Sequence, residues 1–347
     1  MDFKFNVLQS VMKENHADGM IILSRTNLNW YTNKDADFAL IVADKKKVHI
    51  FVDARDYQIF HAAKINAEIH LYKDMNSWIS FVKSMKLERV LFEYDEISVA
   101  KYETCIEPLN IKNLLRFSGD TLRIVKTPEE LKYLQKAADI ACASVEHLKK
   151  WIKIGTSESA AAQELITFMI KQGASGVSFR PIISFGKNTS SPHNVPSNYK
   201  LRSGDSILVD CGCVYKGYCS DITRIWWIGK VNPKIKHMYE VALAANKLGI
   251  ASAKDGMTGK ELDAIVRNYV AKNYDGYDIP HGVGHGVGVK IHEAPWVKKT
   301  YTQKLLTNSV VTMEPGIYDS SIGGVRIEDT IVITKNGCKV LTSKSSK

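Results

Sequence analysis

After residue 127 one pattern occurs twice, and it restricts the fold more than any other feature of the chain. Each copy has two helical stretches followed by a pair of apolar strands that carry carboxylates where they meet. The strands read SILVDCG and GYCSDITRIWWIG in the first copy, SVVTMEPG and GVRIEDTIVIT in the second. Asp210 and Glu314 each follow an apolar run and precede a turn, while Asp221 and Glu328 each open the second strand, with Thr223 and Thr330 close behind. The separations, 11 and 14 residues, suit hairpins. The helices are equally legible. Thr127, Pro128 and Glu130 form a capping signal, and Leu131, Leu134, Ala138, Ala141, Val145 and Leu148 then fall on one face. SAAAQELITFMIKQG ends at Gly173, and the second copy supplies a helix after Pro233 and another capped by Thr258.

Two neighbouring strand pairs would bring four carboxylates together. Bare carboxylates at close range repel strongly, so such a group persists only when protonated, paired with cations or bound to metal. Arg224 and Arg326 are near enough in sequence for a salt-bridged cluster, the blander alternative. A fifth group comes from HGVGHGVGVKIHEAP, where glycines around His285 allow close backbone approach and leave the imidazole uncrowded. One histidine with four carboxylates is a mostly oxygen set. It fits two divalent ions, Mn²⁺, Co²⁺, Fe²⁺ or Zn²⁺, and not a structural zinc. Ions about 3.5–4 Å apart share one water, lower its pKa and polarise a carbonyl, which is the equipment for amide hydrolysis. His292–Glu293 is no zincin motif, because Trp296 stands where HExxH needs its second histidine. His193, between two prolines in SFGKNTSSPHNVPSN, reads by itself as part of a polar loop.

The first 120 or so residues alternate strand-like and helix-like runs: DGMIIL, a FALIVADKKKVHIFVD hairpin, a helical ARDYQIFHAAKIN, EIHLY, a helical SWISFVKSMK and RVLFE. They predict an α/β domain with a mixed sheet, and turn residues in SGDTLRIVKTPEE mark a boundary near 118–127.

VDCG…GYCSDITR, GHGVGVKIHEAP, MEPGIY and GVRIEDT, in that order, resemble the signature blocks of the pita-bread metallopeptidases, the family of aminopeptidase P, prolidase, methionine aminopeptidase and creatinase. FGKNTSSPHNVPSN resembles the loop before the first metal strand in the proline-directed branch. The resemblance implies an α+β chain: a creatinase-like α/β domain over 1–122, then a pita-bread catalytic domain over 123–347, with duplicated helix-helix-strand units around a curved antiparallel sheet. It implies Asp210, Asp221, His285, Glu314 and Glu328 as ligands of two metal ions, with Mn²⁺ the first expectation. Glu314 would also be the general base, and His193 and His292 would steady the tetrahedral intermediate. His281 and Arg326 would line the substrate pocket, with Tyr218 and Thr223 orienting ligands. The implied activity is hydrolysis of an N-terminal Xaa-Pro bond by a water or hydroxide bridging the ions, in a homodimer. A dipeptidase must also hold the free carboxylate after proline, and APWVKKTYTQ offers Lys298 and Lys299 but no arginine. The expectation is therefore an Xaa-Pro aminopeptidase, with prolidase as the alternative and a non-catalytic binding protein behind both.

Composition fits this frame. The formal charge of +10 comes largely from lysines scattered among acids, so neither nucleic acid nor membrane is expected as a partner. The six cysteines have no zinc-site spacing and read as reduced, apolar packing residues, and the start of the chain lacks a signal peptide's pattern. Both point to the cytoplasm.

Overall fold

The computed structural model describes residues 3–347 and divides into two units, one ending at Arg123 and the other beginning at Ile124.

The first unit is built on a six-stranded mixed sheet. Its strands are β1 (Gly19–Ile22), β2 (Ala39–Asp44), β3 (Val48–Val52), β4 (Glu68–Leu71), β5 (Arg89–Glu93) and β6 (Asn113–Phe117), in the order β4-β3-β2-β1-β5-β6. The lysine-turned hairpin is β2–β3, paired antiparallel, whereas β3–β4, β1–β5 and β5–β6 are parallel and need crossover connections. Among the described residues the α-helices of this unit are α1 (Phe3–Glu14), α2 (Arg25–Thr32), α3 (Tyr57–His61), α4 (Met75–Ser84) and α5 (Val99–Cys105). ARDYQIFHAAKIN yields only the short α3. Asp53 takes the backbone N–H of Arg55 on its side chain (2.9 Å) and that of Tyr57 on its carbonyl (3.0 Å), which makes a turn of the first residues.

In the second unit both copies of the pattern fold alike. The first runs α6 (Pro128–Trp151), α7 (Glu158–Lys171), β7 (Gly176–Val177), β8 (Ile182–Phe185), β9 (Ser206–Cys211), β10 (Cys213–Tyr215), β11 (Tyr218–Cys219) and β12 (Ile222–Trp227). The second runs α8 (Pro233–Ser252), α9 (Gly259–Asn273), β13 (Gly284–Gly286), β14 (Glu293–Val297), β15 (Val310–Met313), β16 (Gly316–Asp319), β17 (Gly323–Arg326), β18 (Asp329–Thr334) and β19 (Gly337–Val340). In each, a long antiparallel pair (β9–β12, β15–β18) carries a short pair at its tip (β10–β11, β16–β17). Thr127 and Thr258 both close complete capping boxes, with Glu130 and Glu261. The face predicted for α6 is the buried one, with Leu134, Ala138, Ala141, Val145 and Leu148 inside.

The two copies are stitched together where their carboxylates lie. Glu328 N–H donates to Thr223 O at 3.1 Å, and Thr330 Oγ1 donates to Asp221 O at 2.7 Å. The buried Arg224 spans the same seam, donating to the Glu328 carbonyl and pairing with Asp329 at 2.8 Å. Among the described residues no helix is long and apolar enough to cross a membrane.

Candidate metal centre

Asp210 lies in β9, Asp221 directly before β12, and the register sets Thr223 opposite Asp210. Glu314 directly follows β15 and Glu328 directly precedes β18, where the register pairs Met313 with Asp329. The twice-used hairpin thus delivers two carboxylates per copy to one cavity of about 540 Å³. His193, His281, His285, His292 and Arg326 line the same cavity, whereas Tyr218, Thr223 and Arg224 are not among its lining residues.

His285 stands in β13, and its position depends on two glycines. A Cβ on Gly284 would lie 2.2 Å from the Thr312 carbonyl, and one on Gly286 would lie 2.4 Å from that of Glu293. Close strand approach is therefore bought by the missing side chains. Gly284→Ala is expected to cost about 2 kcal/mol or more, because the clash is with backbone and cannot relax by a rotamer change; calorimetry of the metal-free protein would show it as a lowered melting temperature. The Nδ1 of His285 faces the Gly286 carbonyl at 3.0 Å, and the backbone N–H of His285 donates to Thr312 Oγ1 at 3.1 Å. If Nδ1 carries the proton, the Nε2 lone pair points toward Asp221 Oδ2 (3.5 Å) and Glu314 Oε1 (3.7 Å). Burial lowers the imidazole pKa to about 3, so it is neutral, the form that binds metal.

The acids have the opposite problem. Burial first, then Glu328, Asp210 and Glu314, raises the Asp221 carboxyl well above its usual range. Glu328 is raised in the same way, by burial and then Glu314 and Asp210. Burial pushes Glu314 up to about 8, against the opposing pull of Arg326. Without a cation these groups hold protons at neutral pH. Arg326 pairs with Asp210 Oδ2 at 2.6 Å and bonds Thr223 Oγ1 and Tyr318 through its other nitrogens. Arg224, the other arginine near these acids in sequence, turns to Asp329 instead. Asp210 Oδ1 is buried with no hydrogen-bond partner. Asp221, His285 and Glu328 each offer a ligand atom within 4.8 Å of the others. An orphaned carboxylate oxygen, protonated neighbours and a neutral imidazole form a donor set that fits divalent cations better than a salt-bridged cluster.

Around this set, Thr223 Oγ1 donates to Glu328 Oε2 at 2.8 Å and so fixes one of the acids. Tyr218 does not share that task. Its hydroxyl donates to Glu130 Oε1 at 2.9 Å, tying β11 to the start of α6. The residue that sequence reading passed over is Tyr318. Its hydroxyl lies 3.0 Å from His281 Nε2 and 2.9 Å from Arg326 Nη1, linking two cavity groups. Its signal was the final residue of MEPGIY. His292 packs edge-on against His285, ring centroids 4.3 Å apart. The rest of the wall is largely apolar (Phe179, Ile182, Val195, Trp296), with Arg180 and Lys298 as cations and Lys298 Nζ 4.6 Å above the Trp296 ring.

Residues 132–335 match the profile of metallopeptidase family M24, and residues 5–125 match the creatinase/prolidase N-terminal domain. An uncharacterized peptidase of Bacillus subtilis, YqhT, is 37% identical over 344 residues, covering 98% of this chain and 97% of its own. A putative Xaa-Pro aminopeptidase of Mycoplasma genitalium is 34% identical, covering 96% and 94%. The solved structure of an Xaa-Pro dipeptidase from Bacillus anthracis superposes with a TM-score of 0.94 at 34% identity, over 99% of this chain and 98% of that one. The α+β architecture, with a pita-bread domain behind a creatinase-type domain, is the one these similarities share.

Proposed function

The chain belongs to metallopeptidase family M24, with a creatinase/prolidase N-terminal domain ahead of the peptidase domain, and from that premise we propose that it hydrolyses Xaa-Pro bonds with two divalent ions held by Asp210, Asp221, His285, Glu314 and Glu328. The observation that carries this reading is the buried, unpartnered Oδ1 of Asp210 in a cavity with three further acids whose carboxyls are raised. Ions bound there would supply an activated water and polarise the scissile carbonyl. Glu314 takes the proton of the attacking water and returns it to the departing prolyl nitrogen. His193 and His292 donate hydrogen bonds to the carbonyl oxygen as it gains charge. Burial lowers the pKa of His281 to about 4, so it acts as a neutral hydrogen-bonding group on the substrate side. Arg326 borders the substrate while holding Asp210 in place. The oxygen-rich donors favour Mn²⁺, and Co²⁺, Zn²⁺ and Fe²⁺ can use the same set. The family resemblance supports a homodimer, which sedimentation would detect at twice the chain mass of 38.9 kDa.

A second reading concerns peptide length. The sequence after the His-Glu block offered no arginine, which favoured the aminopeptidase. Yet Arg180, from a distant segment, lines the cavity together with Lys298, and such cations suit the free carboxylate that follows proline in a dipeptide. This favours the dipeptidase. Metal-stripped protein resupplied with Mn²⁺ should be offered an Xaa-Pro dipeptide and an Xaa-Pro-Xaa tripeptide side by side. Cleavage mainly of the dipeptide supports the prolidase reading, and cleavage mainly of the tripeptide returns it to an aminopeptidase. No cleavage with Mn²⁺, Co²⁺ or Zn²⁺ would leave a binding protein. For a dipeptidase, Lys298→Ala or Arg180→Ala should raise KM for the dipeptide roughly 10-fold or more with kcat little changed, the loss of a charge-assisted hydrogen bond made equally in ground and transition states.

A further inference from the structure

The first unit holds a second group of potential ligands. β4 is the edge strand of its sheet and pairs parallel with β3, placing Glu68 beside His49 and His70 beside Phe51. Glu68 and His70 stand two apart on β4, so they share a face, as His49 and Phe51 do on β3. On that face three side chains converge. His49 Nδ1 lies 3.1 Å from His70 Nε2 and 3.3 Å from Glu68 Oε2, and the three ligand atoms fall within 4.8 Å of one another. Two donors each about 2.0–2.1 Å from a tetrahedral zinc are themselves about 3.4 Å apart, so both close contacts have the length of a coordination edge.

The rings are also held in place. His70 stacks on Phe51, centroids 4.6 Å apart at 14°, and Phe81 of α4 packs against both histidines at 5.0 Å. His49 is 8% exposed, whereas Glu68 is at the surface, so the group is buried on one side and open to solvent on the other. Lys47 occupies only the other carboxylate oxygen of Glu68, Oε1. Two imidazoles and one carboxylate with an open fourth position form a mixed nitrogen and oxygen set suited to a borderline divalent ion. We propose that His49, Glu68 and His70 bind one such cation, Zn²⁺ first, and that it pins edge strand β4 to β3 without part in peptide hydrolysis. A bare His49–His70 hydrogen bond is the competing account of the same distances.

The test counts zinc. Full-length protein stripped of metal is dialysed against a fixed Zn²⁺ concentration and its metal measured by atomic emission, alongside His70→Ala, Glu68→Gln and Asp221→Ala/Glu328→Ala. Glu68→Gln alters only a surface group, so it keeps the result interpretable should His70→Ala disturb packing. Both first-unit variants are expected to carry one zinc per chain fewer than wild type at limiting Zn²⁺, with affinity at that site down roughly 100-fold or more and Xaa-Pro turnover unchanged. The Asp221/Glu328 variant should lose turnover yet keep the zinc that the first-unit variants lose. Lys47→Ala, by freeing Glu68, should tighten it. Equal zinc content in wild type, His70→Ala and Glu68→Gln would overturn the site and leave the hydrogen-bonded pair. Failure of the peptidase reading would show separately, as absent turnover in the wild type.

Discussion

Asp221→Ala is expected to lower kcat/KM for Xaa-Pro hydrolysis by at least about 10³-fold, some 4 kcal/mol of transition-state stabilisation, and to reduce bound metal, while the protein stays folded. The two outcomes separate because of what Asp221 does without metal. Its side chain is buried beside Glu328, Asp210 and Glu314, and those neighbours together with burial keep its carboxyl protonated far above the ordinary range. Alanine there removes a group that the metal-free fold tolerates only by holding a proton, so the apoprotein should be as stable as wild type or more so. Glu328→Ala makes the same point with one difference. It leaves Thr223 Oγ1 without its 2.8 Å acceptor, while Arg224 keeps the Glu328 carbonyl, which belongs to the backbone. Steady-state kinetics, metal content and circular dichroism on both variants decide the matter. Turnover near wild type in either would remove these residues from the metal centre and with them the proposed mechanism.

What could be read beforehand was whatever repeats or caps. Two copies of one strand pair made four acids visible as a set, and the Thr127–Glu130 box marked the start of α6 to the residue. What escaped depends on placement that spacing does not encode. Arg224 and Arg326 each lie within a few residues of a candidate ligand, yet only Arg326 reaches the cavity, while Arg224 crosses the seam to Asp329. Tyr318 reaches His281 and Arg326 because β16 folds back on β17, and the tyrosine that ends MEPGIY does not by itself say which groups it will meet. Arg180 comes before β8, far in sequence from the His-Glu block whose cations decided the first view of peptide length. In the first unit α2 is only eight residues long. It is set by its Ser24 cap and by buried Asn27, which bonds Glu93, a carboxylate 66 residues away. Tertiary contacts of that kind override local preference.

Stripped of metal, the protein is expected to lose stability as pH rises from about 6.5 to above 8, and to recover it when Mn²⁺ is added. Burial raises Glu314 from its ordinary 4.5 to about 8, so between those values the folded chain holds a proton that the unfolded chain has released. Such a group contributes stability that is complete below 4.5 and is lost as pH climbs through about 8. Asp221 and Glu328 are raised too and act with the same sign. The buried histidines act with the opposite sign. His281 and His285 fall from 6.5 to about 4 and about 3, so their unfavourable effect fades as pH rises to 6.5 and is gone above it. Below 6.5 the two groups of residues offset each other, and above it only the carboxyls titrate. One proton held by the folded state alone is worth about 1.4 kcal/mol per pH unit, so Glu314 by itself should cost about 2 kcal/mol across this interval, with the other two acids adding to it. Metal ions would take the place of those protons, and the loaded protein should show a nearly flat profile. Urea unfolding of metal-stripped and Mn²⁺-loaded protein at pH 6.5 and 8.5 measures the difference directly. A flat profile in the stripped protein would mean that the acids are already ionised and neutralised by the chain's own cations, the condition of a salt-bridged cluster with no need of metal.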